Sequence, residues 1–337
     1  MLKAIKNLDE YYDYMYDIEN LTNLNVKFKK EKSGKIIVIE NLVKNNKCLE
    51  ARGLIKKELL KDKNNLKINM IKTALEVYSL ISADFYLSKI EKDKIKNLSP
   101  KNHALRELSQ YVKKDIKTLT KMMKVEEPVA RDWNKRKPST TNEKSVNNFY
   151  IETESYIYEL MAANNIVQTL YSYGIMLEKL KNLKVKNVFD YGAGAATISI
   201  LLKNAGYNII YADLKGRTFE FAEWRIRNRK LDILMIDLSK NTDVHKLNFD
   251  CIVCTEVIEH LVNPLILLKK FSDVLSKGQV LIVSESCKYT RHFSSHLESN
   301  RKYSGNEFIK IMKDLGFKQI LTKPIIPQLF FEKIKNS

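Results

Sequence analysis

The stretch VFDYGAGAATIS (188–199) runs from an apolar strand pattern into an acid, Asp190, and then through Gly192 and Gly194. Glycine lets a backbone turn tightly and approach a ligand with no side chain between. A second acid, Asp213, closes the run NIIYAD 21 residues past Gly192, where a carboxylate can accept hydrogen bonds from ribose hydroxyls. Further on, FDCIVCTEVIEHL (249–261) carries Glu256, Glu259 and His260, and CKYTRHFSSHLESNRKY (287–303) adds His292 and His296. Imidazoles and carboxylates can take a proton from a reacting group. They also ligate cations such as magnesium, manganese or cobalt. Cys251 and Cys254 invite a disulfide or metal reading, but at i and i+3 of a strand they face opposite sides.

Such a glycine turn suits a dinucleotide when Gly or Ala stands three residues past the second glycine, for close packing under the pyrophosphate. Thr197 holds that place, and Asp190, just before the first glycine, would repel pyrophosphate. A ligand with a ribose, a cationic amino-acid end and no phosphate fits both acids. S-adenosylmethionine is such a molecule.

The elements that must position these residues alternate from residue 186 onward. Strand patterns fall at 187–191, 208–213, 232–236, 250–255 and 279–284, with helical patterns at 195–205, 217–230 and 262–276 between them. This alternation predicts a parallel sheet covered on both faces, doubly wound by right-handed crossovers. After a helix at 307–317, strands at 317–322 and 328–333 are joined by KPIIP, short enough to make them antiparallel neighbours. Ligands in such sheets sit at the carboxyl ends of the strands.

Residues 186–333 resemble the class I S-adenosylmethionine-dependent methyltransferases. The resemblance rests on VFDYGAGAATIS, IIYADL, ILMIDL, FDCIVCTEVIEHLVNPLILLKKFSDVLSKGQVLIVSES and DLGFKQI, in that order. Within that family the chain is similar to the ubiquinone-pathway O-methyltransferases, where EVIEHL, a helix, LSKG and a strand follow one another. LSKGQ departs from relatives that carry a second glycine there. The resemblance implies an α/β fold: a doubly wound, mostly parallel seven-stranded sheet of order 3-2-1-4-5-7-6, last strand antiparallel. It implies that Asp190, Tyr191, Gly192, Ala193 and Gly194 line the methionine end of S-adenosylmethionine. Asp213 would take the ribose hydroxyls and Asp237 the adenine amino group, although Asp237 also reads as a helix N-cap. Thr255 and Glu256 would face the sulfonium and the acceptor. Glu256, His292, His296 and Tyr303 would line the acceptor site, with His260 or His296 as base or orienter beside Glu256. A structural role for each histidine stays open. Small-RNA 2′-O-methyltransferases use an E-x-x-E-H…H metal site, which here would be Glu256, Glu259 and His260 with His296 or His292. EVIEHL also occurs in relatives without metal, and no metal is expected.

The first half is nearly free of glycine and reads as helices: near 48–61, at 66–93 and at 103–125, with a small hairpin at 25–42 around Ser33-Gly34. No family resemblance is read from it. The polar stretch 129–149 reads as a linker, with Arg131, Lys135, Arg136 and Lys137 beside Trp133 as a solvated run or a phosphate contact. A long helix at 150–183, broken near Asn164-Asn165, opens the second unit. The division is thus 1–149 and 150–337. The formal charge is +18, with 32 basic against 20 acidic residues in 1–150. Most of this excess is lysine spread along the chain, which sets solubility and steering. Arg217 and Thr218 open a helix whose amides could meet the cofactor, and Trp224 reads as core. Apolar residues at 44% and charged at 29% fit a soluble globular protein. Four cysteines without framework spacing and a polar, aromatic start without a signal-peptide core point to the cytoplasm.

The expected function is transfer of a methyl group from S-adenosylmethionine to an O, N or C atom of a small-molecule acceptor. One alternative is an RNA 2′-O-methyltransferase gripping phosphates with the basic half. Another is a non-catalytic S-adenosylmethionine-binding protein. No membrane partner is expected, and the sequence leaves the oligomeric state open.

Overall fold

A computed structural model describes residues 34–83, 98–124, 127–240, 244–287, 294–321 and 327–335. The strands are β1 (Asn187–Tyr191), β2 (Asn208–Asp213), β3 (Leu234–Asp237), β4 (Cys251–Cys254), β5 (Val280–Val283), β6 (Phe317–Leu321) and β7 (Leu329–Lys333). They form one seven-stranded sheet of order β3-β2-β1-β4-β5-β7-β6. Pairings from β3 across to β5 are parallel, and β7 runs antiparallel to both β5 and β6. The expected order and the antiparallel last strand are thus present.

Successive strand residues feed opposite faces of this sheet. Val188, Cys251, Val253 and Ile282 join one buried cluster, while Phe189, Ile252, Cys254 and Val283 join another. The two cysteines therefore lie on opposite faces, free and buried. Helix α9 (Val167–Asn182) and helix α10 (Thr197–Asn204) cover the first face, joined there by α3 (Leu66–Ser82) from the N-terminal half. Between β2 and β3, α11 (Arg217–Asn228) packs on Tyr211 through Phe219, Ala222 and Ile226. On the other face lie α12 (Pro264–Val274) and α13 (Gly305–Asp314), through Leu268, Phe271, Phe308 and Met312. Trp224, expected in the core, is half-buried and packs against Tyr111 and Phe221 at the margin of a buried cluster.

The N-terminal half is helical where described: α1 (Gly34–Lys44), α2 (Cys48–Leu59), α3, α4 (Pro100–Val112) and α5 (Ile116–Met122). The described part of the expected hairpin, from residue 34, is helix α1. Ile36 and Ile39 sit on its buried stripe against Ile55 and Ile71, and this packing overrides the strand propensity of a β-branched run. Residues 25–33 lie outside the described residues, as do 84–97 of the expected 66–93 helix. The 103–125 pattern is two helices. Lys113 takes a left-handed φ of 56°, and Asp115 restarts the chain by accepting from Thr118 N at 2.9 Å.

The polar 129–149 stretch is not a linker in form. It holds α6 (Glu127–Arg136) and the start of α7 (Glu143–Glu152), clamped by Trp133 edge-on to Phe149 at 4.8 Å. Of its basic run, Arg136 pairs with Glu152 at 2.7 Å. The expected 150–183 helix is the end of α7, then α8 (Ser155–Ala163), then α9. Helix α3 crosses α9 at Gly174, where a Cβ would fall 2.2 Å from Thr73 Cγ2. Asn204 of α10 adds a bond to the Leu80 carbonyl at the end of α3. No helix among the described residues is long and apolar enough to cross a membrane.

Candidate active site

The site is built on the carboxyl ends of β1, β2 and β4. After β1 the chain turns through Gly192 (φ +67°) and Gly194 (φ +52°) into α10. Gly192 and Ala193 donate their amides to the Ala212 carbonyl of β2 at 2.8 and 3.1 Å. A Cβ on Gly192 would fall 2.4 Å from Val257 Cγ2, so the glycine also lets the turn after β4 come close. Asp213 fixes the loop from β2: it accepts from Gly194 N at 2.6 Å and Leu214 N at 2.6 Å. Tyr191 spends its ring on packing, edge-on to Phe271 at 5.2 Å.

Two carboxyls thus meet at this turn. Asp190 is buried and accepts the Ser199 hydroxyl at 2.6 Å. Burial pushes its carboxyl up to about 7, and the neighbouring Asp213 adds to the rise. Burial pushes Asp213 up to about 6 against its two amide donors. A pair of carboxyls held toward the neutral form is poised for a cation, which would restore both charges. The sulfonium and ammonium groups of S-adenosylmethionine have that sign, so the residues fit the cofactor.

Asp237 ends β3 and turns back on its own loop. Its Oδ1 accepts from Ser239 N at 2.9 Å, Ser239 Oγ at 2.5 Å and Lys215 N at 3.2 Å. It lines an open cavity of about 410 Å³ with Phe219, Met235, Ile236 and Lys240. Thr255 follows β4 directly.

Glu256 comes next, in a left-handed conformation (φ +53°) that a non-glycine residue holds only under constraint. The constraint is a pair of serines after β5. Ser284 Oγ accepts from Glu256 N at 2.9 Å and donates to its Oε1 at 2.6 Å, and Ser286 donates to Oε2 at 2.5 Å. A short 3-10 turn, Ile258–His260, then presents Glu259 and His260. Buried Asn300 clamps this turn by donating to the carbonyls of Ile258, Glu259 and Leu261.

His260 and His296 stack edge-on, ring centres 4.8 Å apart. His260 Nδ1 lies 3.1 Å from the Ser295 carbonyl, and His296 Nδ1 lies 3.2 Å from that of Ser286. A carbonyl oxygen only accepts, so Nδ1 carries the proton in both rings and Nε2 keeps its lone pair. Tyr150 Oη, 2.7 Å from His260 Nδ1, accepts there and donates to the Ser295 carbonyl. Burial lowers the pKa of both imidazoles, and for His296 the adjoining His260 lowers it further. Both rings are therefore neutral near pH 7.

Glu259 is fully buried, and neither carboxylate oxygen has a hydrogen-bond partner. Burial, with Glu256 and Glu285 nearby, pushes its carboxyl well up. Ligand atoms of Glu259, His260 and His296 lie within 4.8 Å of one another. Glu256, which the small-RNA pattern would add as a fourth ligand, is not part of this cluster. His292 lies outside the described residues. Tyr303 closes the 3-10 segment Glu298–Tyr303 with Lys302 over its ring. Sequence reasoning missed Ser284 and Ser286, which the SES run after the fifth strand could have suggested. It also missed Tyr150, whose partner lies 110 residues away.

A sheet of this order, with a glycine turn after its first strand and an acid ending its second, defines the class I S-adenosylmethionine-binding fold. Residues 163–322 match the profile of a family described as methyltransferase domain. The match spans just under half of the chain, and the cofactor of this fold is S-adenosylmethionine. Among curated proteins, the ubiquinone biosynthesis O-methyltransferase of Actinobacillus pleuropneumoniae serotype 7 is 28% identical over 113 residues, 32% of this chain and 48% of the relative. That of Shewanella pealeana is 24% identical over 136 residues, 39% of this chain and 54% of the relative. The chain thus spans about half the length of the curated relatives it matches. Among solved structures, an S-adenosylmethionine-dependent methyltransferase from Clostridium acetobutylicum aligns at a TM-score of 0.39 with 12% identity, covering 54% of this chain and 98% of that one. The magnesium protoporphyrin IX methyltransferase of Synechocystis, with bound SAH, aligns at 0.37 with 18% identity, covering 49% and 82%.

Proposed function

We propose that the chain is an enzyme that methylates a hydroxyl oxygen of a small-molecule acceptor lodged beside Glu256, His260 and His296. The observation that carries this reading is the pair of neutral imidazoles, each with its proton on Nδ1: His260 ends the turn that meets the cofactor loop through Val257 and Gly192, and His296 lies edge-on to it. S-adenosylmethionine supplies a methyl group already electrophilic on its sulfonium. The chain's residues must then orient the acceptor and receive its proton. Asp190 and the 192–194 turn hold the methionine end, and Asp213 takes the ribose hydroxyls. Asp237 and its cavity take the adenine, while Thr255 and Glu256 border the reacting centre. His260 or His296 accepts the hydroxyl proton on Nε2 as the oxygen–carbon bond forms and the carbon–sulfur bond breaks, its electron pair staying on sulfur. Alignment of this kind can supply about 7–11 kcal/mol of the barrier.

The test is tritiated methyl transfer into fractionated metabolites and RNA of the native host. A labelled small molecule with the methyl on oxygen is expected. Replacing the base, His260→Ala or His296→Ala, should lower kcat about 10²–10⁴-fold with SAH binding retained. Label in RNA alone would transfer the reading to a nucleic-acid 2′-oxygen. No label in any fraction, with S-adenosylmethionine bound, would leave a non-catalytic binding protein.

A second reading adds a divalent cation, and buried, unpartnered Glu259 favours it. An ionised carboxylate there would lack compensation, at a cost of several kcal/mol, unless a proton or a cation joins it. Glu259, His260 and His296 would hold the ion, which would polarise the acceptor oxygen. Titration with manganese should show one site, lost in Glu259→Ala. The absence of uptake by the wild type removes this reading.

A further inference from the structure

Glu107 on α4 is fully buried, yet it is charged and lies outside the region that matches the methyltransferase profile. Its carboxylate receives Arg225 Nε at 2.9 Å and Arg225 Nη2 at 3.1 Å, and Arg229 Nη1 joins it on Oε1. Arg225 lies on α11 and Arg229 caps its carboxyl end, and both are buried. The two guanidiniums hold the Glu107 carboxyl well below the usual carboxylate range, against its burial. The remaining nitrogen of Arg225 points the other way. Nη1 donates to the Ala195 carbonyl and, at 3.0 Å, to Thr197 Oγ1.

Ala195 and Thr197 flank Ala196, whose φ is +58°, and they follow Gly194 without a gap. A left-handed alanine persists only where its surroundings over-determine it. Here the fixed fork of Arg225 grips both neighbours of that residue. Asn164 Nδ2 reaches the same Thr197 hydroxyl at 3.3 Å, and Tyr173 donates to Asn164 Oδ1. The loop that carries Gly194 and its bond to Asp213 is thus fixed from behind by a charge in the N-terminal half.

We propose that Glu107 and Arg225 are positioning residues of the cofactor site. Glu107 aims the Arg225 fork, and Arg225 holds 195–197 so that the 192–194 turn keeps its binding shape. This rests on reading that turn as the seat of the cofactor. It gives the N-terminal helices a part in binding rather than only in covering the sheet. Lysine keeps the charge beside Glu107 but has no planar fork to serve two directions at once.

Arg225→Lys is therefore the discriminating variant, in the full-length protein, with SAH as the probe. Calorimetry should show about a tenfold or greater loss of SAH affinity, the worth of a charge-assisted hydrogen bond. Amide exchange at 194–197 should quicken in the ligand-free protein, while the melting midpoint falls little. A purely structural role would lower the midpoint and leave the affinity of the folded protein unchanged. Should Arg225→Lys fail to fold, Thr197→Val decides alone: it leaves the Glu107–Arg225 pair intact and removes only the loop's hydroxyl. A loss of about threefold or more is expected there, for one hydrogen bond of less than 1 kcal/mol net. SAH affinity within twofold of wild type in the deciding variant, with exchange at 194–197 unchanged, overturns the proposal while the cofactor assignment stands. A wild-type chain that binds no SAH overturns both.

Discussion

Asp190 and Asp213 give the site a measurable pH signature. Their folded-state values of about 7 and about 6 lie above the ordinary carboxyl value, so the folded protein holds extra protons between roughly pH 4 and 7. The sign follows: the ligand-free protein loses stability as pH rises through that window. S-adenosylmethionine is cationic and favours both ionised forms, so its binding should expel protons near pH 6 and tighten from pH 5 to 8. Calorimetry in buffers of differing ionisation heat reads the release directly. Identical heats in every buffer at pH 6 would contradict it. At this scale the sequence showed Asp190, Gly192, Gly194 and Asp213 well, because such a turn needs those types at that spacing. It concealed Ser284, Ser286 and Tyr150, since a hydroxyl that meets its partner only after folding leaves no local pattern.

The elements differ in how openly the chain states them. All seven strands lie within about two residues of their sequence-read limits, because a strand buried on both faces is a continuous apolar run closed by polar residues. The first half misleads for a physical reason. KIIVIENLV has β-branched residues, but its stripe at Ile36, Ile39 and Val43 packs as a helix. The Pro and Ser/Thr cluster at 138–141 marks only the corner between α6 and α7. The crossing of α3 and α9 provides a prediction at this scale. Gly174→Ala should cost about 1–3 kcal/mol by overpacking against Thr73 Cγ2. Removing that methyl with Thr73→Ala should restore most of the loss, because the nearest atoms would then be Val77 Cγ2 at 3.4 Å and the Cβ of residue 73 at 3.7 Å, both ordinary contacts. Melting midpoints of the two single variants and the double variant test this. Strictly additive losses would show that the crossing is not the point of contact.

For the whole molecule, the matched region 163–322 shares its core with the N-terminal half. Ala74, Val77, Tyr78 and Ile81 of α3 belong to the same cluster as Tyr173, Leu201 and Val188. Without Glu107, two buried guanidiniums lose their carboxylate, a loss of about 3–5 kcal/mol for a broken buried pair. A fragment beginning at residue 163 should therefore aggregate or melt without cooperativity, and should not bind SAH. A monodisperse fragment with a sharp transition would refute this. None of this joining was legible beforehand, since Glu107 and Arg225 stand 118 residues apart and each alone resembles a surface charge.

The position of β7 has a consequence for synthesis. Among the described residues it is the last strand in sequence, yet it fills the gap between β5 and β6. Until it emerges from the ribosome, β5 and β6 each offer a bare row of amides and carbonyls to any extended peptide nearby. A polypeptide stalled short of Leu329 should be a strong chaperone client, while one released a few residues past Lys333 should escape that fate.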